Sequence, residues 1–163
     1  MRVDSRLSRT LHVLLHMARH DGPMTSDTIA AMLCTNPVVV RRMLSGLREQ
    51  GYVESAKGHG GGWQLTRDLD TLTLLDIYRA VGEPALFSDL LTGDHPHCLV
   101  EQAVNAKLGT TMQEAQAALL ERFRDISLGS LSQEIESREA PRRRTNAVGP
   151  RARKRANHPV EKP

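Results

Sequence analysis

The chain has few aromatic residues, two cysteines and no long apolar run. Aromatic residues make up 3% of its 163 residues and hydrophobic residues 39%, which suffices for one modest core rather than two. Cys34 and Cys98 are too few for a disulfide framework, which excludes the disulfide-rich secreted class. No apolar run approaches the length of a transmembrane helix, and the N-terminus lacks a signal-peptide pattern. We therefore expect a cytoplasmic protein without a membrane partner.

Positive charge is unevenly distributed along the chain. Residues 138–163 hold nine Lys or Arg against two Glu, a local charge of +7, and because the whole chain carries +3 the rest carries −4. Within that acidic remainder, residues 35–67 hold five basic side chains against two acidic ones, which indicates a nucleic-acid-binding segment. Residues 133–163 have few large apolar side chains, so we expect a basic, disordered tail. The tail either adds sequence-independent attraction to DNA or only keeps the protein in solution.

Residues 25–50 predict two short helices around a tight turn. Thr25 or Ser26 can cap the first helix, and Asn36 can cap the second, which has Pro37 at its first position. The second helix has an inward stripe at helical spacing, formed by Val40, Leu44 and Leu47. Its remaining positions face outward or sideways: Asn36, Val38, Val39, Arg41, Arg42 and Ser45. Such a pair of helices is either a helix-turn-helix with an arginine-bearing reading face or a plain αα-hairpin with a solvated one.

A glycine-rich hairpin is predicted directly after these helices. Residues 52–54 and 63–65 read as two strands, and residues 57–62, KGHGGG, allow the backbone to turn between them. The segment GHGGGW is a poor nucleotide-binding loop, because it lacks the third glycine of GxGxxG and lies between strands. A capped helix beside a thin basic hairpin is typical of a winged helix-turn-helix. Its second helix fits the major groove of DNA, and the hairpin tip can reach a phosphate or the minor groove.

The remaining segments predict further helices. Residues 3–20 read as an opening helix with a buried stripe of Leu7, Leu11, Leu14, Leu15 and Ala18. Residues 72–81 and 99–108 read as helices, the second ending at Gly109, and Thr111 with Glu114 forms a capping box for the next. That helix carries a stripe suited to packing on a twin in a dimer, or on its own domain: Met112, Ala115, Leu119, Phe123 and Ile126. Residues 127–131 read as a short closing turn.

The predicted fold class is therefore mainly α with a small two-stranded β wing, a winged helix-turn-helix followed by a long dimerisation helix. We divide the chain into a DNA-binding domain at residues 1–84, a sensor loop with dimerisation helices at 85–132, and the tail at 133–163.

Three runs resemble a family of bacterial transcriptional regulators. NPVVVRRMLSGLREQGYVES, KGHGGGWQLTRD and LTLLDIYRAV are similar to the Rrf2 family, over about residues 1–132. The resemblance implies a homodimer that binds a pseudo-palindromic operator in double-stranded DNA. It places base- and phosphate-reading positions at Asn36, Val38, Val39, Arg41 and Arg42. It also places Lys57 at the wing's minor-groove position and His59 at the wing tip.

The family resemblance also raises the question of a signal. Cluster-bearing members place three cysteines in the loop corresponding to residues 92–108, where this chain has only Cys98. Ser8 stands at the position of an acidic ligand, and His12 lies one turn further on. With His95 and His97 as the remaining candidates, the set falls short of a cluster site, so we expect no metal and no cofactor. The chain is more similar to the cluster-free, single-cysteine subgroup (YwnA type).

In that subgroup Cys98 is either a redox switch or a half-buried structural cysteine. Cys34, in the turn between the two helices, is expected to pack as a small apolar residue.

These patterns predict a homodimeric, sequence-specific DNA-binding regulator, a repressor that responds to a redox or small-molecule signal. Two alternatives remain open within the same family: an iron–sulfur or metal-dependent sensor, and a regulator that acts mainly through a protein partner. No motif brings together a nucleophile with a base or a pair of carboxylates, so the sequence does not predict an enzyme.

Overall fold

The computed structural model describes residues 4–58, 60–87, 91, 93–95 and 97–146. They form six α helices, one 3-10 turn and one two-stranded antiparallel sheet. The elements in chain order are α1 (Arg6–Ala18), α2 (Ser26–Met32), α3 (Pro37–Glu49), β1 (Val53–Ala56), β2 (Gly62–Leu65), the 3-10 turn Leu69–Thr71, α4 (Leu74–Ala80), α5 (Leu99–Asp125) and α6 (Leu128–Asn146). The mainly α fold with a small β wing is therefore confirmed. Among these residues, none of the helices combines the length and apolarity that crossing a bilayer demands.

Two compact units are present, one within residues 1–132 and one within residues 133–163. The core of the first unit is formed by fully buried side chains from five of the helices. Leu14 of α1, Ile29 of α2, Leu44 of α3, Ile77 of α4 and Leu128 of α6 are all 0% exposed. Each such side chain contributes about 1.5–3 kcal/mol when it is removed from water. This shared core fixes α2 and α3 against the wing.

The buried face of α1 differs from the predicted stripe. Its buried residues are Thr10, Val13, Leu14 and Met17, so of the predicted set only Leu14 is fully buried and Ala18 is exposed. The reason is tertiary, because α1 packs against β2, α3 and α4 at once. The side of α1 that these three elements cover is not the side that carries most of its leucines.

The helix predicted to end at Gly109 instead continues without a break. α5 runs for 27 residues, and Thr111, predicted to cap a new helix, donates its side-chain hydroxyl to the Lys107 carbonyl oxygen at 2.9 Å. This i to i−4 bond occurs inside helices and is not an N-terminal cap. A glycine in a helix interior costs only about 1 kcal/mol, which is too little to end a helix that has no other stop signal.

The predicted closing turn at residues 127–131 is also wrong. Ser127 forms an antiparallel bridge with Thr73, Leu128 donates its N–H to the Leu72 carbonyl oxygen at 2.8 Å, and α6 begins at Leu128. α6 then continues past Ser137 to Asn146, so residues 133–146 are helical where we predicted disorder. An i,i+4 pair between Glu134 and Arg138 lies along this helix and supports it. The remaining predicted tail, residues 147–163, lies outside the described residues.

Candidate nucleic-acid interface

The N-terminus of α3 is organised by the two residues that the sequence singled out. The Asn36 side-chain oxygen accepts a hydrogen bond from the Val38 backbone N–H at 2.8 Å, and Pro37 occupies the first helical position. The cap stabilises the helix by about 1 kcal/mol. The Asn36 amide nitrogen can still donate hydrogen bonds to another molecule.

The residues that α3 buries in the core fix the rotation of the helix and therefore which residues face outward. Val40, Leu44 and Leu47 are completely buried, as predicted. Val38 and Val39 are each 47% exposed on the other side, and Arg41 and Arg42 are exposed beside them. The outward face of α3 therefore combines apolar and cationic side chains.

The two arginines of this outward face are available to a partner. Within the described part of the chain, neither the Arg41 nor the Arg42 guanidinium makes a hydrogen bond or an ion pair. A guanidinium has five N–H donors in a fixed planar arrangement, which matches phosphate oxygens and the guanine edge in the major groove. The outward face of α3 can therefore contact both the backbone and the bases of DNA.

The turn between α2 and α3 places a non-glycine residue in the left-handed region. Cys34 has a φ of 49°, and the next residue, Thr35, donates its N–H to the Ala30 carbonyl oxygen at 2.9 Å. Cys34 is exposed, so the prediction that it packs as a small apolar residue is wrong. The reason is the backbone: a left-handed C-terminal residue directs its side chain away from the helix pair.

The β1–β2 hairpin projects from the end of α3 and is held at its base. The Trp63 side chain is 6% exposed, and its indole N–H donates to the Ser26 hydroxyl oxygen at 3.0 Å. Met24 and Trp63 also exchange two backbone hydrogen bonds, at 2.8 and 2.9 Å. A Cβ on Gly62 would lie 2.7 Å from the Met24 backbone, so this close approach requires glycine. The wing is therefore attached to the start of α2.

The wing carries its cation just after β1. Lys57 is exposed and has no hydrogen-bond or ion-pair partner among the described residues. The backbone reverses through Gly58 and Gly60, whose φ angles of 96° and 79° lie in the left-handed region. His59, predicted at the wing tip, lies outside the described residues.

The candidate sensing residues are not gathered into a metal-ligand set. Cys98 is exposed and is the N-cap residue of α5, without a side-chain capping bond. Its backbone N–H donates to the His95 carbonyl oxygen at 2.9 Å, and the His95 N–H donates to a Glu101 carboxylate oxygen at 2.9 Å. His97 is exposed nearby in the chain. Within the described residues, no group of three or more His, Cys, Asp or Glu side chains is placed to hold a metal ion.

The other predicted sensing residues lie on α1. Ser8 and His12 are exposed, and the His12 ring lies beside the His16 ring, with centroids 4.7 Å apart. Partial burial, followed by the charges of His12 and Arg19, lowers the pKa of His16.

Comparison with known proteins agrees with this architecture. Residues 3–134 match the family model described as "Rrf2: Iron-dependent Transcriptional regulator". The "Putative HTH-type transcriptional regulator YwnA" of Bacillus subtilis is 32% identical over 117 residues, which cover 72% of this chain and 86% of that protein.

Two solved structures share the fold. A crystal structure described as that of "a putative DNA binding protein" has a TM-score of 0.61 and 31% identity, and it covers 78% of this chain and 98% of the other. CymR, the global cysteine regulator of B. subtilis, has a TM-score of 0.59 and 23% identity, with coverage of 82% and 98%. Because the family model spans most of the chain, from α1 into α6, this protein belongs to the Rrf2 family of transcriptional regulators.

Proposed function

We propose that the protein is a homodimeric, sequence-specific DNA-binding repressor of the cytoplasm. In this proposal α3 enters the major groove of a pseudo-palindromic operator, and the β1–β2 hairpin contacts the minor groove or the adjacent backbone. The reading positions are those of the outward face of α3 and the wing: Asn36, Val38, Val39, Arg41, Arg42, Lys57 and His59.

The observation that carries the proposal is the outward face of α3 with its two arginines. Arg41 and Arg42 are exposed, and their guanidiniums make no ion pair or hydrogen bond among the described residues, although Glu49 lies on the same helix. Val38 and Val39 supply apolar surface next to them, which suits contact with thymine methyl groups. A capped helix with this outward face, next to an attached basic hairpin, is typical of a winged helix-turn-helix. A plain αα-hairpin does not require either feature.

The dimer is supported by an apolar stripe on the first half of α5. Val100, Val104 and Leu108 recur every four residues and are 71%, 49% and 38% exposed, while Leu99 beside them is 79% exposed. Side chains of this type are normally buried, and such a stripe marks an interface between proteins. The predicted stripe further along α5 partly serves its own domain instead, since Phe123 packs edge-to-face on Tyr78 of α4 at 6.0 Å between ring centroids.

For the signal, we propose oxidation of Cys98, which is exposed at the start of α5. The family description mentions iron, but the donors here do not fit an iron site. Cys98 is the single cysteine of its loop, and the described residues assemble no set of three ligands around it. We therefore assign no role to iron.

The test of the proposed function begins with selection of duplexes from a random library by the purified full-length chain. We expect enrichment of one sequence with two-fold symmetry, and binding to that operator that weakens steeply as salt rises. Equal retention of all duplexes, or an enriched site without symmetry, would contradict the proposal.

The signal is tested on the selected operator with peroxide. Wild-type protein should change its affinity on oxidation, and Cys98→Ser should abolish that response while it binds the operator normally in the reduced state. Cys34→Ser is the matched control, since Cys34 is also exposed but lies in the α2–α3 turn. A response that survives in Cys98→Ser and disappears in Cys34→Ser would overturn the assignment.

A further inference from the structure

A cleft lies beside the outward face of α3. It is formed by the start of α1, one flank of α3, and the end of α4 with the turn that follows, and its volume is about 740 Å³. This volume is within the range of small-molecule sites, which are mostly apolar with a few placed polar groups. The apolar part of the lining here is Val39, Met43, Ala80 and Val81.

The walls of the cleft are tied to each other. The Arg6 guanidinium donates to the Val81 carbonyl oxygen at 3.2 Å, which links α1 to the end of α4. α3 and α4 approach so closely that a Cβ on Gly46 would lie 2.4 Å from the Ala80 carbonyl oxygen. The cleft is therefore pre-formed, and a ligand would not need to order its walls on binding.

Among the described residues, the lining of the cleft has more guanidiniums without an ion pair than carboxylates without one. Arg6 is already paired, because its guanidinium lies 2.7 Å from a carboxylate oxygen of Asp4, and this hydrogen bonding lowers the pKa of Asp4. Arg9 and Arg42 also line the cleft, and neither guanidinium makes a hydrogen bond or an ion pair with any described residue. The remaining carboxylate in the lining is Glu49. Judged from the described residues, the lining therefore holds two guanidiniums without an ion pair and one such carboxylate.

We propose that this cleft is an effector site for a small amphipathic carboxylate. Arg9 and Arg42 bind the carboxylate, since guanidinium groups form charge-assisted hydrogen bonds with carboxylate oxygens, and the hydrocarbon part packs on the apolar lining. An apolar lining of this extent favours a ligand with a hydrocarbon body over a bare inorganic anion.

The regulatory half of this inference rests on the proposed DNA-binding function. Arg42 lies both in the cleft and in the proposed reading face, so a bound carboxylate withdraws its guanidinium from DNA. The ligand and the operator then oppose each other, and by linkage each weakens the binding of the other by the same factor. Arg9, which lies on α1, takes part in ligand binding without belonging to the reading set.

The first experiment measures ligand binding without DNA, by isothermal titration calorimetry of the full-length protein with sodium octanoate. We expect saturable binding at one site per chain, and a dissociation constant raised about tenfold or more in Arg9→Gln and in Arg42→Gln. Arg48→Gln is the matched control: it makes the same change on α3, outside the cleft and outside the assigned reading positions, and should bind octanoate as wild type does.

Three results would overturn the site. The first is no saturable binding. The second is equal binding by wild type and both cleft variants, which would place octanoate elsewhere, for instance on the apolar stripe of α5. The third is equally tight binding of acetate or inorganic phosphate, which would show that the hydrocarbon body is not recognised.

The second experiment repeats the operator titration with octanoate. We expect operator affinity to fall by about fivefold or more at saturating octanoate. Arg9→Gln should need about tenfold more octanoate for the same fall. If octanoate binds as predicted but the protein selects no operator, the site stands and the proposed function fails. If the operator binds equally with and without octanoate, the regulatory half of the inference is wrong.

Discussion

Arg41 and Arg42 are neighbours in the chain, but they have different surroundings. Arg42 faces the cleft between α1, α3 and α4, whereas Arg41 does not line it. Their outward placement follows from local rules that can be applied to the sequence, because the Asn36 cap and the buried Val40 and Leu44 set both the start and the rotation of α3. The cleft beside Arg42 could not be predicted in this way, since two of its walls come from residues distant in the chain.

Substitution of the proposed reading residues distinguishes contacts with bases from contacts with the DNA backbone. Arg41→Ala should weaken binding to the selected operator by about 1–3 kcal/mol and relax its sequence preference. Lys57→Ala should weaken binding to all duplexes alike and reduce the slope of log K against log salt by about 1. The measurement is fluorescence anisotropy over a range of salt concentrations.

Arg122→Ala and Lys107→Ala are the matched controls, because they remove the same charges from exposed positions on α5. Both should retain the wild-type affinity and salt slope. If the reading variants and the α5 variants lose affinity equally, the loss reflects net charge alone, and the assigned reading face is wrong.

The backbone of the α2–α3 turn predicts that a substitution by glycine stabilises the protein, whereas such substitutions usually destabilise. Cys34, with a φ of 49°, occupies a conformation that costs a non-glycine residue about 1–2 kcal/mol, so Cys34→Gly should raise the free energy of unfolding by about 0.5–1 kcal/mol. Gly51, at the end of α3 with a φ of 68°, is the opposite case, and Gly51→Ala should lower it by about 1 kcal/mol or more. Urea unfolding measures both.

Cys34→Ser controls for loss of the thiol and should leave the stability nearly unchanged. Equal effects of the Ser and Gly substitutions at this position would show that the thiol, and not the left-handed backbone, determines the stability.

At the scale of elements, local signals predicted the helix-turn-helix and the wing well but failed where distant segments pair. The Trp63–Ser26 hydrogen bond joins residues 37 positions apart, and the Thr73–Ser127 bridge joins residues still further apart. No spacing rule indicates such contacts. The capping box of α4 was missed although its signal is present, with the Thr73 hydroxyl and the Asp76 carboxylate each bonded to the other's backbone N–H.

Substitution of alanine for two glycines inside helices should change the stability of the protein in opposite directions. Gly109 in α5 has open space where a Cβ would lie, so Gly109→Ala should raise the free energy of unfolding by about 0.5–1 kcal/mol through helix propensity. Gly46 in α3 has the Ala80 carbonyl oxygen 2.4 Å from that point, so Gly46→Ala should lower it by about 1–3 kcal/mol by forcing α3 and α4 apart.

Thermal unfolding followed by circular dichroism measures both glycine variants. Stabilisation by both would show that α3 and α4 are less closely packed than the structure indicates, and it would also weaken the case for a pre-formed cleft. Destabilisation by Gly109→Ala would indicate that another chain packs against α5 at that point.

At the scale of the whole molecule, the length and exposure of α5 were the features least accessible from sequence. The sequence placed the dimerisation stripe on residues 112–126, but Phe123 of that stripe packs on Tyr78 within the same chain. The exposed apolar residues instead lie in the first half of the helix, which was predicted to be a separate element. The difference arises because α4 covers one end of α5, and that contact depends on the tertiary fold.

The exposed stripe of α5 gives the final prediction. Val104 lies between Val100 and Leu108 on one side of the helix, so a carboxylate there would be buried against apolar groups of a second chain at a cost of several kcal/mol. We expect wild-type protein to be a dimer at micromolar concentration and Val104→Glu to be a folded monomer, by size-exclusion chromatography with light scattering. Because Val104 is 49% exposed within the chain, its substitution should leave the fold of the single chain intact, as circular dichroism would verify.

Gln113→Glu, at another exposed position of α5, should remain dimeric. The monomer should also bind a symmetric operator far more weakly than the dimer does, because it contacts one half-site and loses the gain from linking two binding surfaces. A dimeric Val104→Glu would show that the two chains associate through a different surface.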